Sequence, residues 1–178
     1  MRRNTIMWKY VSYLFAGVTI IAATLIGFRL SSRSGAQTPD PATVPAPAWA
    51  LKDVDGHPVS MAQFHGKVVI LDFWATWCPP CRAEIPGFVE LQQTYGDRGL
   101  VVIGVSMDQG GPAVVKSFMQ KFGMNYPVVM GDETISEAFG GIEGLPTTFI
   151  IDRRGHLVDR HVGYTEKGDF ERAIKPLL

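Results

Sequence analysis

The chain has 178 residues, 46% hydrophobic and 19% charged, which suffices for one domain with a real core and is too little for two large ones. Its 17 Lys and Arg balance 17 Asp and Glu, so there is no excess positive charge of the kind a nucleic-acid binder needs to neutralise phosphates. Two cysteines exclude a disulfide-dense scaffold and any four-cysteine zinc or cluster site.

The balanced charge hides a split. Residues 1–36 hold Arg2, Arg3, Lys9, Arg29 and Arg33 and no acid, while residues 37–178 hold the other 12 bases and all 17 acids. Such asymmetry marks a targeting or membrane segment attached to a soluble domain. Residues 11–28 are an 18-residue run without a charge, which as a helix spans roughly 27 Å, about one hydrocarbon core. Trp8, Tyr10 and Tyr13 lie on its amino-terminal side, where aromatic rings favour the membrane interface. Ser34-Gly35-Ala36 offers a cleavage site for a secretory signal, but the run is long for one and Arg29 and Arg33 intervene. We therefore read residues 1–30 as an uncleaved transmembrane signal-anchor. Its basic flank puts the amino terminus inside. The protein is then expected to cross the cytoplasmic membrane once, with its domain on the extracytoplasmic, periplasmic side.

Residues 31–48 carry Ser31, Ser32, Ser34 and Gly35, then Pro39, Pro41, Pro45 and Pro47. Such a stretch stays extended and reads as a linker. The domain then occupies residues 49–178. Residues 49–54, an Asp55-Gly56 turn and residues 58–60 predict a hairpin. Residues 67–74 (KVVILDFW) are a nearly continuous apolar run, as in a strand buried on both faces. Pro79–Tyr95 predicts a helix with proline at its first position. Leu100–Ser106 predicts a second buried strand, and Pro112–Phe122 an amphipathic helix. A short strand over 127–130 and a short helix over 134–139 follow. Thr147–Ile151 and His156–Val162 read as strands joined by a turn over 152–155, and residues 166–177 as a closing helix. Alternating strands and helices, then a hairpin and a helix, give an α/β fold with a central mixed sheet covered on both faces.

The cysteines form Cys78-Pro79-Pro80-Cys81. A CxxC pair can close a disulfide, bind a metal or, before a His, attach haem. Arg82 follows, so the haem pattern fails. His57, His65, His156 and His161 are scattered, without metal-ligand spacing. A redox disulfide fits best, because it needs only two sulfurs and a reason for one of them to react. Cys78 supplies that reason, since it sits where a buried strand meets a helix. The helix amino terminus presents unpaired N–H groups and partial positive charge to its sulfur, which lowers a thiol pKa. Cys78 is thus the expected nucleophile and Cys81, one turn further in, the resolving thiol. Asp72 interrupts the buried strand, where a carboxyl is costly unless paired or protonated. Glu84 follows Cys81 by three residues and shares its helix face.

Phe73-Trp74-Ala75-Thr76-Trp77-Cys78-Pro79-Pro80-Cys81 resembles the active-site stretch of thioredoxin-fold oxidoreductases. Its continuation through Arg82-Ala83-Glu84-Ile85-Pro86 is similar to the membrane-anchored TlpA/ResA/CcmG (DsbE) branch. Gly144-Leu145-Pro146-Thr147-Thr148-Phe149-Ile150-Ile151-Asp152 resembles the second landmark of that family, a cis-proline opening a strand. The likeness spans about residues 49–178 and takes in the first hairpin and an inserted helix and strand between about 110 and 143. It implies a thioredoxin-like domain that reduces disulfides of exported proteins, most often apocytochrome c before haem attachment. A membrane thiol donor such as a DsbD/CcdA-like protein would resupply it, with no cofactor beyond the Cys78–Cys81 disulfide. Asp72 matches the buried aspartate that the resemblance implicates in proton transfer with the inner cysteine, although many members of this branch carry a neutral polar residue there. Glu84 matches an acid near the active site of ResA-like proteins. A cis bond before Pro146 would turn the backbone of Leu145 toward Cys78, to pair with an extended substrate. Trp77 reads as a wall of the substrate surface and Trp74 as packing.

Three other activities compete with this reading. A dithiol in an oxidising compartment can be an oxidant or isomerase. Two thiolates can also hold Cu(I) for respiratory oxidase assembly. The peroxidase members of the fold carry Thr or Ser four residues before the reactive cysteine and Pro eight before it. Here those positions are Trp74 and Ile70, so the peroxidase reading is rejected.

Overall fold

The computed structural model describes residues 44–178. The apolar run 11–28, its basic flank and residues 31–43 of the expected linker lie outside the described residues. Among the described residues no helix is long and apolar enough to cross a membrane.

Eight strands make one mixed sheet: β1 Val44–Pro45, β2 Ala50–Asp53, β3 Pro58–Ser60, β4 Val68–Trp74, β5 Leu100–Ser106, β6 Val128–Met130, β7 Thr147–Ile151 and β8 His156–Val162. Their spatial order is β1-β8-β7-β4-β5-β6-β2-β3. The central strands β4, β5 and β6 run parallel, and β7 and β8 continue the sheet antiparallel. Four α-helices cover it: α1 Pro79–Tyr95, α2 Pro112–Phe122, α3 Glu133–Ala138 and α4 Lys167–Ile174.

The period of two along β4 sorts the core. Val69, Leu71 and Phe73 face one layer, with Ile103, Val105, Phe149, and Ile135 of α3. Val68, Ile70 and Trp74 face the other, with Ile85 and Phe88 of α1, Val115 of α2 and Phe170 and Ile174 of α4. Asp72 falls in the second set by the same alternation, and so points to the side covered by α1. Every residue of β4 is buried, as the apolar run implies.

The expected elements appear, with local differences. Val44–Pro45, inside the Pro-rich stretch, pairs with His156 and Leu157 of β8, so the sheet begins before Trp49. Proline suits such an edge position, where no N–H is needed. The short helix begins at Glu133 rather than Thr134, because the Asp132 side chain caps it, accepting from the Ile135 N–H at 3.0 Å. The last helix stops at Ile174 and tightens into a 3₁₀ turn through Leu177, where Pro176 supplies no N–H.

One side chain ties the carboxyl-terminal end to the sheet. Arg153 donates from Nε to Leu177 O (3.1 Å), from Nη1 to Gly66 O (2.9 Å) and from Nη2 to Arg98 O (2.9 Å) and Leu178 O (2.8 Å). Gly99 makes room for it. Its φ is +99°, and a Cβ there would lie 2.8 Å from Arg153 Nη1. A planar guanidinium can reach four carbonyls, whereas an ammonium cannot span them. Arg153→Ala is expected to lower stability by about 3 kcal/mol, from charge-assisted bonds and stranded carbonyls, and Arg153→Lys is expected to recover less than half of that. Urea unfolding checks it, and a loss under about 1 kcal/mol would contradict the assigned role.

Candidate active site

Residues 75–78 connect the end of β4 to α1. Cys78 is the amino-terminal cap of α1, with extended backbone (φ −87°, ψ 108°), and its sulfur accepts from the Cys81 N–H at 3.3 Å. The Cys78 N–H donates to Ala75 O at 3.1 Å, and its carbonyl accepts from the Arg82 N–H at 3.2 Å. Pro79 and Pro80 fill the first two helical positions and bring no N–H. Cys81 is therefore the first backbone donor of the helix, and it is aimed at the Cys78 sulfur. Once the pair is reduced, that bond and the helix dipole favour the thiolate at Cys78. In the structure the two sulfurs are joined as a disulfide, with the Cα atoms 5.4 Å apart.

The pair lies between two different environments. On one side Cys78 lines a groove of about 500 Å³ with Trp77, Pro79, Pro80, Met107, Ile142, Glu143, Gly144 and Leu145. Trp77 is 65% exposed and lines this groove, while Trp74 is buried. The Leu145–Pro146 peptide bond is cis. The Pro146 carbonyl accepts from the Gly163 N–H at 2.8 Å, which pins this corner to the end of β8.

On the other side is a compartment of acids. Asp72 pairs in register with Thr148 across β4 and β7, and the Thr148 hydroxyl donates to Asp72 Oδ1 at 3.0 Å. Burial pushes the Asp72 carboxyl up to about 7, against a smaller opposing pull from that hydrogen bond. Glu84 is also buried. The Thr165 N–H donates to its Oε1 at 2.6 Å, while Oε2 has no partner. Burial, then repulsion from Asp72, pushes Glu84 up to about 8. Thr165 reaches it from the segment before α4, which approaches α1 closely at Gly87, where a Cβ would stand 3.1 Å from the Lys167 Cβ. The Tyr126 hydroxyl is raised well above its ordinary range by burial and by the charges of Asp72 and Glu84. Both carboxyls thus exchange their protons near neutral pH rather than near pH 4, on the α1 side of the sheet where Cys81 lies.

The residues expected from the sequence are brought together: Cys78, Trp77 and Leu145 line one groove, with Pro146 next in the chain, and Cys81, Asp72 and Glu84 share the face beneath it. Sequence reasoning missed Thr148, Thr165 and Tyr126, which complete the acid compartment through strand register and tertiary approach. It also missed Met107 and Asp108. A carboxylate two residues beyond a buried strand is the sort of signal that could have marked Asp108.

Comparison with known proteins agrees with this geometry. Residues 42–160 match the AhpC/TSA family. The chain is 36% identical over 136 residues to the thiol-disulfide oxidoreductase ResA of Geobacillus kaustophilus, covering 74% of this chain and 76% of that protein. Among solved structures it is similar to a thiol:disulfide interchange protein of the thioredoxin family from Chlorobium tepidum. There the TM-score is 0.70 and the identity 41%, over 75% of this chain and 95% of that one. It is also similar to a putative thiol:disulfide interchange protein DsbE from the same organism, with TM-score 0.70 and 31% identity over the same shares.

The raised carboxyls carry a sign for stability. Asp72 and Glu84 hold their protons to about pH 7 and 8 in the fold, against 3.8 and 4.5 as ordinary values. Between about pH 4 and pH 8 these two groups therefore bind more protons in the folded state than in the unfolded one, and their contribution to stability falls as pH rises. Asp72→Asn removes one of these protons from the balance. Its stability relative to the parent oxidised protein is expected to improve by about 3 kcal/mol between pH 4 and pH 9, measured by urea unfolding. Parallel curves for the two proteins would show Asp72 to be ionised throughout.

Proposed function

The chain belongs to the AhpC/TSA family and is a thiol–disulfide oxidoreductase with a thioredoxin-like fold, and from that premise we propose that it is a membrane-anchored reductant of disulfides in exported proteins. The observation that carries the reading is the Cys78–Cys81 pair at the head of α1, open to a groove between Trp77 and Leu145 and backed by two buried carboxyls. The apolar run 11–28 and its basic flank support the anchor and the extracytoplasmic placement. Apocytochrome c disulfides are the first targets, because the resemblance to the TlpA/ResA/CcmG branch points to them. A DsbD/CcdA-like membrane dithiol would return the electrons.

The reaction balances with the residues in place. The Cys78 thiolate attacks one sulfur of the target disulfide. The new bond makes a mixed disulfide, and the second target sulfur leaves as a thiolate and takes a proton. Cys81 then loses its proton and attacks the Cys78 sulfur, which re-forms Cys78–Cys81 and expels the first target sulfur. Two electrons have passed from the enzyme to the target, and of the two protons the target thiols gain one comes from Cys81 and one from solvent, replacing the one Cys78 gave up on ionising. In this scheme Asp72 and Glu84 are the groups that take up and return the Cys81 proton, since their pKa values lie near that of the task. Trp77, Leu145 and Pro146 hold the extended target segment beside Cys78.

The copper-handling alternative would rest on the two thiolates alone, since among the described residues no group of three His, Cys, Asp or Glu side chains is placed to add a further ligand. Trapping separates reductase from bystander. Cys81→Ser leaves the attacking thiol and removes the resolving one, so it is expected to accumulate mixed disulfides with exported proteins that run as dithiothreitol-sensitive bands. Cys78→Ser is expected to trap none. Equal yields from the two variants would remove Cys78 from the nucleophile's role.

A further inference from the structure

Trp77 presents a physical difficulty. A large apolar ring that is 65% exposed gains free energy by folding down onto any apolar surface in reach. Such a surface is adjacent: a second groove of about 460 Å³ runs past Met107, Gly110 and the half-exposed Val114. Trp77 and Met107 line both grooves. Something other than apolar packing must hold the ring as the wall between them.

The backbone before it is held by one carboxylate. Asp108, two residues beyond β5, accepts from the Thr76 N–H at its Oδ2 (2.9 Å) and from the Thr76 hydroxyl at its Oδ1 (2.6 Å). Oδ2 also accepts from the Ser106 hydroxyl (2.9 Å), and the Asp108 N–H donates back to Ser106 Oγ (3.3 Å). Ser106 is the fully buried last residue of β5 and pairs with Trp74, so the carboxylate stands on a rigid base. Two bonds to a single residue, one to the backbone N–H and one to the side chain, hold the 75–76 peptide and the Thr76 side chain immediately before Trp77. Bonds to a charged acceptor are about twice as strong as neutral ones.

We propose that Asp108 is a positioning residue that acts through Thr76 to hold the Trp77 ring upright as the wall of the substrate groove, and so sets the affinity for protein disulfides rather than the reactivity of Cys78. Cys78 has its own anchors at the head of α1, where its sulfur accepts from the Cys81 N–H and its carbonyl from the Arg82 N–H, which the clamp does not supply. Releasing Asp108 therefore lets Trp77 settle toward Met107 and Val114 while leaving the sulfur where it is. The proposal rests on the oxidoreductase reading of the Cys78–Cys81 pair.

The test uses Asp108→Ala, Asp108→Asn and Thr76→Val, the last of which removes only the hydroxyl bond and keeps the shape. Each full-length variant is assayed in its reduced form with insulin as the protein disulfide and with a small aromatic disulfide, which needs no groove. Asp108→Ala is expected to raise KM for insulin about tenfold with kcat within twofold, as loss of charge-assisted bonds spent on binding implies. Its rate with the small disulfide should stay within twofold of the parent. Thr76→Val and Asp108→Asn should fall between, and the double variant Thr76→Val with Asp108→Ala should be no worse than Asp108→Ala alone, since both remove one interaction. Acrylamide quenching of Trp77, measured in a background with Trp8, Trp49 and Trp74 replaced by Phe, should decrease on release. Equal losses on both disulfides, an unchanged KM in Asp108→Ala, or additive single variants would each overturn the proposal. If the parent protein reduces neither disulfide, the oxidoreductase reading fails first, and that result is distinct from any of these.

Discussion

A carboxyl group in the middle of a strand buried on both faces must be paired or kept neutral, and among the described residues no cation pairs with Asp72. It has one hydroxyl, that of Thr148, and a second acid, Glu84, close enough to repel it. The two can share a water-poor compartment only by holding protons to unusually high pH. Several features of the architecture follow from that constraint. The alternation of β4 points Asp72 toward α1, the pitch of α1 puts Glu84 on the face of Cys81, and the close approach of α4 at Gly87 brings the Thr165 N–H onto Glu84. Stability is given up as pH rises through neutrality to keep two buried acids on the side of the sheet where Cys81 lies.

The same geometry divides the work at the two sulfurs. Cys78 faces outward to a groove made by loops, and Cys81 faces inward to the acids. In the proposed reaction electrons cross on the groove side while the proton of the resolving thiol is handled on the buried side, out of contact with water. Pro79 and Pro80 sharpen the division. By removing two N–H groups they leave the Cys81 N–H as the first backbone donor of α1, aimed at the Cys78 sulfur. The acid clamp at Asp108 belongs to the outer side and concerns who binds there, whereas Asp72 and Glu84 belong to the inner side and concern how the thiol is used.

Most of the fold was legible because its signals are local. KVVILDFW reads as a buried strand from composition alone, and Pro79, the apolar spacing of Ile85 and Phe88, and Gly99 beyond the carboxyl end delimit α1 and the start of β5. The place of the cysteines at a helix amino terminus was legible from Pro79 and the strand before it, and the cis-proline from the resemblance. What escaped was set by distance in sequence. Thr148 meets Asp72 through strand register 76 residues away, Thr165 meets Glu84 across 81 residues, and Asp108 meets Thr76 across 32. No spacing within one element reports such pairings. Val44–Pro45 escaped for the opposite reason, since a proline-rich stretch reads as a linker until an edge strand is there to receive it.

The account rests on the Cys78–Cys81 pair serving as a source of electrons, and the reduction potential of that pair tests it most directly. Equilibration of the full-length protein with glutathione and dithiothreitol buffers at pH 7 is expected to give a value close to that of thioredoxin, about −270 mV. A value near that of DsbA, about −120 mV, would contradict the reducing role and make the protein an oxidant or isomerase built on the same site.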